Sequence, residues 1–188
     1  MRPTVRNDLY ILSGASCVGK TTAATLLFQR EEDYLVMESD LLWCDYFDTP
    51  EDNYRKFRET WMNICASISQ CKKPVVLCGC GIPEQFECCE ARRLFDRVHY
   101  IALVAEDQVM EDRIRRGRGI TDEKQVTASL HFNRWLRENG DKISPPMELV
   151  DNSTLTPEET ARRVDGLIRR FMEERKKRAE RIGGSISF

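Results

Sequence analysis

The sequence has no apolar run long enough to cross a membrane. Runs such as 101–105 are far shorter than the roughly 20 apolar residues that a transmembrane helix needs. Residues 1–8 are polar and do not form the apolar core of a secretory signal. We therefore expect a cytoplasmic protein with no membrane partner.

Metal-binding patterns are also missing. The two histidines, His99 and His131, stand alone, and no two cysteines have the C-x-x-C spacing of zinc and redox sites. The sequence does contain eight cysteines, which are Cys17, Cys44, Cys65, Cys71, Cys78, Cys80, Cys88 and Cys89. In a cytosolic protein we expect reduced thiols that fill small apolar spaces, and neither a disulfide framework nor a structural metal.

The chain has no large excess of charge of either sign. Against 29 Lys and Arg stand 31 Asp and Glu, which gives a formal net charge of −2. Nucleic-acid binding usually needs a basic groove, so this balance argues against a nucleic-acid partner. Basic residues are concentrated in 162–181, a stretch consistent either with a solvated helix face or with contact to a phosphate-rich partner.

Apolar strand patterns alternate with helical patterns along the chain. Strands are predicted at 8–13, 34–37, 74–78, 98–104 and 147–150, several of them as continuous apolar runs. Such runs belong to parallel sheets that are covered on both faces. No repeat or low-complexity linker divides the chain, so we predict one domain over 1–188 with an α/β fold. Its core is a doubly wound, three-layer parallel sheet of about five strands, with a ligand at their carboxyl ends.

Several helix boundaries follow from local signals. Thr49 with Pro50 behind it predicts the N-cap of the helix after the second strand. A further helix is predicted over 83–95, and Gly140 is predicted to cap the helix over 121–139. The run from Thr156 to Glu159 is a capping box that begins the last helix.

Residues 14–21 carry the clearest chemical signal. They read GASCVGKT, match G-x-x-x-x-G-K-[ST] in full, and lie between a predicted strand and a predicted helix. The glycines let the backbone wrap closely around phosphates, and the helix N-terminus adds the positive end of its dipole. Lys20 is expected to reach the β- and γ-phosphates, and the Thr21 hydroxyl to take one magnesium position.

Through this motif the chain resembles the P-loop (Walker A) phosphotransferases. Residues 8–171 resemble the small-molecule kinase branch, which includes nucleoside, nucleotide, shikimate and gluconate kinases and chloramphenicol phosphotransferase. The resemblance implies P-loop NTPase topology, ATP and Mg²⁺ as cofactors, and a monomer or homodimer. It also implies a lid and following helix over 113–142 and a basic C-terminal helix or tail over 172–188. The nucleotide-binding residues it implies are Gly14, Ala15, Ser16, Cys17, Val18, Gly19, Lys20, Thr21, Thr22, Arg116 and Asn152.

Two acidic residues follow the second strand. In similar kinases an acid at this place contacts the acceptor hydroxyl, and we assign that role to Asp40, with Glu38 in reserve. A carboxylate there can orient the hydroxyl and accept its proton. Asp40 is also assigned, with Thr21, to the metal, because the third strand ends without the acid that many P-loop enzymes use there. It ends in glycines at 79 and 81, which fit either close substrate approach or a plain turn.

Arginines follow the fourth strand. Arg113, Arg116 and Arg118 resemble the lid entry of these kinases, where arginine neutralises the transferring phosphoryl group. We assign Arg113 and Arg116 as catalytic together with Lys20 and Asp40. A solvated basic helix end would explain the same residues, because arginine is favoured near a helix C-terminus.

Two weaker sets remain open between binding and structure. Asn152, in the polar stretch 151–154, matches the loop that lies along adenine in similar kinases, and it also fits a plain polar turn. An acceptor pocket and the core are both consistent with Trp43, Tyr46, Phe47, Phe132, Asn133, Arg134 and Trp135.

We therefore predict a kinase, a transferase that moves a phosphoryl group from ATP to a small hydroxyl- or phosphate-bearing metabolite, with a nucleoside or nucleotide as the preferred acceptor. A nucleotide-binding regulator or slow NTPase without an acceptor is the alternative that the missing acid keeps open. A 5′-hydroxyl polynucleotide kinase is a second alternative, against which the near-neutral charge argues. No N-K-x-D guanine motif is present, which disfavours a GTP switch.

Overall fold

The computed structural model describes residues 7–29 and 33–183. Strands and helices alternate along this part of the chain, as the sequence predicts. They are β1 (Leu9–Gly14), α1 (Lys20–Phe28), β2 (Leu35–Glu38), α2 (Arg55–Ser69), β3 (Val75–Cys78), α3 (Pro83–Glu87), β4 (Val98–Val104), α4 (Asp107–Asp112), α5 (Glu123–Asn139), β5 (Met147–Asp151) and α6 (Pro157–Gly183). Short 3₁₀ turns lie at Ser39–Leu42, Asp45–Phe47, Pro50–Asp52 and Glu90–Leu94, and one π-helical turn, Arg113–Gly117, continues α4.

All five strands form one parallel sheet in the order β2-β3-β1-β4-β5. Leu9 at the start of β1 pairs with Val75 on one side and Val98 on the other. The predicted parallel sheet is thus confirmed. Because β1 is central, the loop that follows it emerges at the middle of the carboxyl edge, where ligands of such sheets bind.

Helices cover both faces of the sheet. Alternate side chains of β1 point to opposite faces, so Tyr10 and Leu12 pack with α1 and α6 while Leu9 and Ile11 pack with α2. Both sets are almost fully buried. The result is the three-layer arrangement that continuous apolar strands predict. Within the described ranges, no helix combines the length and apolar character that a bilayer span requires.

The last helix, α6, runs unbroken from the carboxyl edge of the sheet to its amino edge. Residues 172–183 of the predicted C-terminal segment continue this helix, and 184–188 lie outside the described residues. Near its far end, Arg175 and Arg178 lie 3.5 and 3.7 Å from the carboxylate of Asp8, which is fully buried just before β1. The same carboxylate lies 2.9 Å from His99 on β4. These contacts attach the C-terminal half of α6 to the amino edge of the sheet.

The predicted start of α2 at Thr49 is wrong. Pro50–Asp52 form a 3₁₀ turn, and the next two residues have positive φ angles of 53° and 57°, so α2 begins only at Arg55. The carboxylate of Asp52 accepts hydrogen bonds from the amides of Arg55 and Lys56 at 3.0 and 3.2 Å. Asp52 therefore satisfies the first-turn amides that Thr49 was expected to serve.

One other helix prediction needs correction. The helix over 83–95 is broken, because the Glu59 carboxylate on α2 accepts from the amides of Glu90 and Ala91 and starts a separate 3₁₀ turn there. Gly140 occupies the C-cap of α5, which confirms its predicted place, although its backbone is right-handed and not left-handed as is typical of a capping glycine. A Cβ at Gly140 would lie 2.7 Å from a backbone oxygen, so this glycine is needed for space.

Candidate active site

The loop between β1 and α1 has the tight curvature that the G-x-x-x-x-G-K-[ST] motif predicts. The φ angles of Gly14, Cys17 and Gly19 are positive, at 150°, 66° and 109°. Glycine adopts such angles without steric cost. At Gly14 a Cβ would also lie 2.8 Å from the backbone oxygen of Leu103, so β4 leaves no room for a side chain.

Lys20 lies inside this loop. Its Nζ donates a hydrogen bond to the backbone oxygen of Ala15 at 2.9 Å, and the residue is only 7% exposed. Within the described part of the chain, no ion pair joins Lys20 to a carboxylate. A buried cation without a counterion is costly, and an anion bound in the loop would compensate it.

Thr21, the last residue of the motif, faces β2. Its hydroxyl donates to a carboxylate oxygen of Glu38 at 3.3 Å. Burial is the largest cause that raises the pKa of Glu38, and the nearby charge of Asp40 acts in the same direction. An acidic side chain thus stands beside the predicted magnesium ligand, although it comes from β2 and not from the end of β3. Sequence reasoning assigned Asp40 to the metal, but Glu38 is the acid that contacts the predicted magnesium ligand Thr21.

Asp40 lies one turn further on, at the wall of the cavity above the loop. It is exposed, and the Ser39 hydroxyl donates to its carboxylate at 3.3 Å. A hydroxyl-bearing molecule in the cavity could therefore reach Asp40, whereas Glu38 is directed towards Thr21. The two acids therefore differ in both contact and exposure: Glu38 is partly buried against Thr21, and Asp40 is exposed at the cavity wall.

The end of β3 forms a structural turn against β1. The Ser13 hydroxyl donates to the backbone oxygen of Gly81 at 2.5 Å and accepts from its amide at 3.2 Å. Cys80, which precedes Gly81, donates a hydrogen bond from its thiol to the backbone oxygen of Gly14 at 3.4 Å. Gly79 packs closely against the side chain of Ser39. The plain-turn interpretation of these glycines therefore has direct contacts to support it.

Arg113 ties three parts of the site together. Its guanidinium donates to the Asn152 side-chain oxygen at 2.8 Å, to the Asn152 backbone oxygen at 2.9 Å and to the Val18 backbone oxygen at 3.1 Å. The Asn152 amide group also donates to the Val18 oxygen, at 2.9 Å. Burial lowers the pKa of Arg113. Both residues are in the cavity wall, where their hydrogen bonds to Val18 hold the loop between β1 and α1.

The other arginines of this segment have different surroundings. Arg116 is not in the cavity wall: its side chain is 84% exposed and lies 3.6 Å from the Asp112 carboxylate. Arg115 pairs with Glu111 and Glu123. Arg118 does line the cavity, and among the described residues it has no ion pair or hydrogen bond through its side chain. The structure therefore brings Arg118, and not the assigned Arg116, to the site.

A single cavity of about 540 Å³ joins these groups. The predicted residues in its wall are Ser16, Cys17, Val18, Gly19, Lys20, Thr21, Thr22, Asp40, Arg113 and Asn152, whereas Gly14 and Ala15 lie buried beneath it. Further wall residues that we did not assign are Ala23, Cys80, Gly117, Arg118, Ile120, Gln125, Leu155, Pro157 and Thr160. Several of these lie at the start of α6 or just before it, and no local sequence pattern predicts that this segment lies near the loop. Arg118 could have been predicted, because it stands between two glycines and next to the assigned arginines.

The candidate acceptor residues divide between surface and core. Trp43 and Tyr46 are exposed beside Asp40, and Phe47 is buried. On α5, Asn133 is fully buried and hydrogen-bonds both backbone groups of Ala105. Arg134 pairs with Asp107, while Phe132 and Trp135 pack against the core. The α5 set is therefore structural, and the three aromatic residues after β2 follow Asp40 in the chain but are not among the residues of the cavity wall.

A narrow crevice lies under those aromatic residues. Arg58, Phe57 and Trp61 of α2 line it, together with Cys80. Arg58 is 7% exposed, and its guanidinium donates to the backbone oxygens of Asn53 and Gln85. In the ranges that the structure describes, no salt bridge joins it to a carboxylate. Among the described residues this is a second buried cation without a paired acid.

Sequence comparison adds nothing to this picture. A scan against protein-family models gave no match, and a search of curated proteins gave none either. Family membership and function therefore have to be inferred from the fold and from the site.

Comparison of structures does give matches. A gluconokinase from Sinorhizobium meliloti 1021 is 15% identical, with a TM-score of 0.68, over 93% of this chain and 98% of that one. A sugar kinase from Janibacter sp. HTCC2649 is 14% identical, with a TM-score of 0.62, over 85% and 92%. A shikimate kinase from Acinetobacter baumannii, solved in complex with shikimate, is 17% identical, with a TM-score of 0.55, over 88% and 93%. The chain is thus similar to these proteins over 85–93% of its length, and it shares their fold.

Proposed function

We propose that the protein is a kinase that transfers a phosphoryl group from ATP to a hydroxyl group of a small molecule. One observation carries the proposal: a complete G-x-x-x-x-G-K-[ST] loop, an arginine without a side-chain partner among the described residues and the exposed carboxylate of Asp40 line one cavity, and Glu38 contacts the loop at Thr21. The gluconokinase, sugar kinase and shikimate kinase with this fold support the same reaction class.

Each group has a role in this reaction. Lys20 and the loop backbone would hold the phosphate chain, because both supply positive charge or N–H donors to oxygen. Mg²⁺, when bound, neutralises phosphate charge, and the Thr21 hydroxyl with the neighbouring Glu38 fits a hard cation that prefers oxygen ligands. Arg118 would approach the transferring group, since its guanidinium has no partner within residues 7–29 and 33–183.

Asp40 is the proposed general base. It is accessible from the cavity, whereas Glu38 is directed at Thr21. A carboxylate within hydrogen-bond reach of the acceptor hydroxyl orients it and accepts its proton as the new P–O bond forms. The reaction therefore needs Asp40 ionised and the acceptor seated between Asp40 and the phosphate-binding loop.

The acceptor is proposed to carry an anionic group as well as a hydroxyl. Arg58 is buried beside the end of β3, and no salt bridge joins it to a carboxylate in the described part of the chain. An anionic substituent in the crevice would supply the missing countercharge. A nucleotide carries such an anionic group, and its base suits the aromatic side chains Trp43 and Tyr46. A sugar acid also carries an anionic group, whereas a neutral nucleoside does not. In this structure the crevice is nearly closed, so binding requires movement of the 3₁₀ turns above it.

The free cysteines point to the compartment. All eight are free thiols, three of them buried. A chain with this many reduced thiols suits a reducing environment. We therefore propose that the reaction takes place in the cytosol.

The test is a screen of acceptors. Purified protein with ATP and Mg²⁺ is incubated with nucleoside monophosphates, neutral nucleosides, aldonates and cyclic hydroxy acids, and ADP release is measured. We expect release to rise only with an anionic, hydroxylated acceptor, and to be lost in Lys20→Ala but kept in Lys73→Ala, an exposed lysine before β3. Hydrolysis that no acceptor stimulates would instead support a nucleotide-binding regulator and would contradict the proposal.

A second measurement isolates the acceptor anion. Arg58→Gln removes the buried charge, and Arg55→Gln, three residues earlier on the exposed side of α2, is the matched control. Hydrogen bonds to charged groups contribute about 1.5–3 kcal/mol, so we expect the acceptor KM to rise about tenfold to a hundredfold in Arg58→Gln only. The KM for ATP should not change. An equal rise in both KM values would mean that Arg58 only supports the fold.

A further inference from the structure

Two cysteine side chains line the cavity that we assign to the phosphates. Cys17 belongs to the phosphate-binding loop and is half-buried, and Cys80 follows β3 and is exposed. The other thiols are elsewhere: Cys65, Cys78 and Cys89 are buried, and Cys44, Cys71 and Cys88 are exposed outside this cavity. Two separate elements thus present thiols to one binding space.

The proposed reaction has no use for either thiol. The loop holds phosphate through backbone groups and Lys20, and Cys80 only donates a weak hydrogen bond to the Gly14 oxygen at 3.4 Å. The Cys17 sulfur lies 3.6 Å from the Ser16 hydroxyl, on the exposed side of the loop. Both sulfurs therefore remain available to a reagent that enters the cavity.

The charge of the cavity wall selects the kind of reagent. Lys20, Arg113 and Arg118 contribute three positive charges, and Asp40 contributes the one negative charge among the wall residues. A concave surface of one sign raises the local concentration of molecules of the opposite sign. An anionic disulfide is therefore favoured at these thiols over a neutral one, for the same reason that a nucleotide is.

We propose that Cys17 and Cys80 form a site of reversible thiol modification by small anionic disulfides, which switches off nucleotide binding. This inference rests on the proposed function, because it takes nucleotide phosphates to be the normal occupant of the cavity. One cysteine thiolate attacks a sulfur of the disulfide; a protein–reagent S–S bond forms as the S–S bond of the reagent breaks. The second half of the reagent leaves as a thiolate and takes up a proton, so the protein thiol is oxidised and the reagent reduced.

The modified protein would lose its nucleotide site by occlusion. A group attached at Cys80 or Cys17 fills the space beside Lys20 and Thr21. Its negative charges also pair with the cationic side chains that would otherwise bind the phosphates. An excess of a small thiol reverses the exchange and restores the site. Bound nucleotide should in turn shield both sulfurs.

The experiment uses glutathione disulfide as the anionic probe and 2-hydroxyethyl disulfide as the neutral control. Binding of a fluorescent ATP analogue is measured for the untreated protein, after treatment, and after dithiothreitol; modified cysteines are mapped by mass spectrometry with and without ATP. We expect the Kd to rise by about tenfold or more after treatment, to recover on reduction, and ATP to protect Cys17 and Cys80. The neutral disulfide should modify both more slowly.

Two variants make the outcome decisive. In Cys17→Ser/Cys80→Ser the ratio of treated to untreated Kd should fall to about one, whatever its untreated affinity. In Cys44→Ser/Cys71→Ser/Cys88→Ser the ratio should remain that of the wild type. An unchanged Kd after treatment, or modification confined to Cys44, Cys71 and Cys88, would overturn this inference. Absence of nucleotide binding in the untreated protein would instead contradict the proposed function.

Discussion

The hydroxyl of Thr21 donates a hydrogen bond to Glu38 at 3.3 Å, across the junction between the phosphate-binding loop and β2. Thr21 occupies the motif position that contacts magnesium in P-loop enzymes. Because β3 ends in Cys78 and Gly79, with no acid, Glu38 is the carboxylate that stands nearest to that position. Its burial and the neighbouring Asp40 raise its pKa.

The first prediction concerns the pH dependence of activity. Glu38 supports a cation only when it is ionised, so the rate should fall as the pH drops through its raised pKa, at a pH above that of an ordinary glutamate. Stability should respond in the opposite direction. Because the folded-state pKa of Glu38 is raised, the free energy of unfolding should fall as the pH rises from the unfolded-state pKa to the folded-state pKa. Glu38→Gln should remove both responses and raise the magnesium concentration needed for half-maximal rate.

The matching control is Glu87→Gln, an acid that hydrogen-bonds Tyr100 away from the cavity. Steady-state rates and urea unfolding across the acidic range measure the two responses. A Glu38→Gln protein whose rate falls with decreasing pH like that of the wild type would remove Glu38 from the metal site.

The second prediction separates the arginines. Arg118 lines the cavity without a partner among the described residues, whereas Arg116 is exposed and lies near Asp112. An arginine that neutralises the transferring phosphoryl group contributes about 10³-fold or more in rate. We expect Arg118→Ala to lose most of the turnover with little change in ATP affinity, and Arg116→Ala to behave like the wild type. Equal losses in both variants would mean that the segment moves enough to exchange their positions.

The third prediction concerns the brace formed by Arg113 and Asn152. Each residue contacts the other and the Val18 oxygen, so their effects should not add. In a double-mutant cycle with Arg113→Ala and Asn152→Ala, we expect a coupling of about 1–3 kcal/mol in the free energy of unfolding, together with weaker nucleotide binding. Arg115→Ala, which removes exposed pairs only, should lose less stability and no affinity. Independent effects of the two substitutions would show that the brace is not a unit.

The fourth prediction tests the start of α6. The Glu159 amide donates to the Thr156 hydroxyl at 3.2 Å, and the Thr156 amide donates to the Glu159 carboxylate at 2.9 Å, which confirms the capping box. Thr156→Ala should lower the free energy of unfolding by about 1 kcal/mol near neutral pH. The backbone hydrogen bond from Thr156 is the first cause that lowers the pKa of Glu159. Its contribution is therefore present above the unfolded pKa and disappears as the pH falls through the folded pKa.

Urea unfolding at neutral and at acidic pH checks this, with Thr154→Ala, outside the box, as the control. The Glu159 half is tested by Glu159→Gln: a pH-independent difference between this variant and the wild type would leave the Glu159 carboxylate without a role in stability.

The sequence was informative where local chemistry decides the structure. The motif at 14–21, the five parallel strands and the capping box at Thr156 depend on neighbours in the chain, and the structure agrees with each of them. Sequence patterns were insufficient where distant residues intervene: the helix predicted over 83–95 was wrong because Glu59 ends it, and Asn133, which the sequence left open between pocket and core, is held in the core by Ala105.

Within the site, the choice between Arg116 and Arg118 shows the same limit. Both lie in one basic stretch, and sequence order cannot say which side of a turn each side chain takes. The π-helical turn over Arg113–Gly117 has a different residue spacing from an α-helix, and this spacing determines which of the two arginines faces the cavity. Glu38 was named only in reserve for a similar reason, because its contact with Thr21 depends on how β2 lies beside the loop.

One helix forms part of the cavity wall and also reaches the far edge of the sheet. Pro157 and Thr160 face the cavity at the start of α6, and Arg175 and Arg178 hold Asp8 at its other end. A rod fixed at two opposite points cannot slide along its axis or tilt without breaking one of the attachments. Ligand entry must therefore be accommodated by the short turns on the other side of the opening, and α6 serves as the stationary wall against which they close.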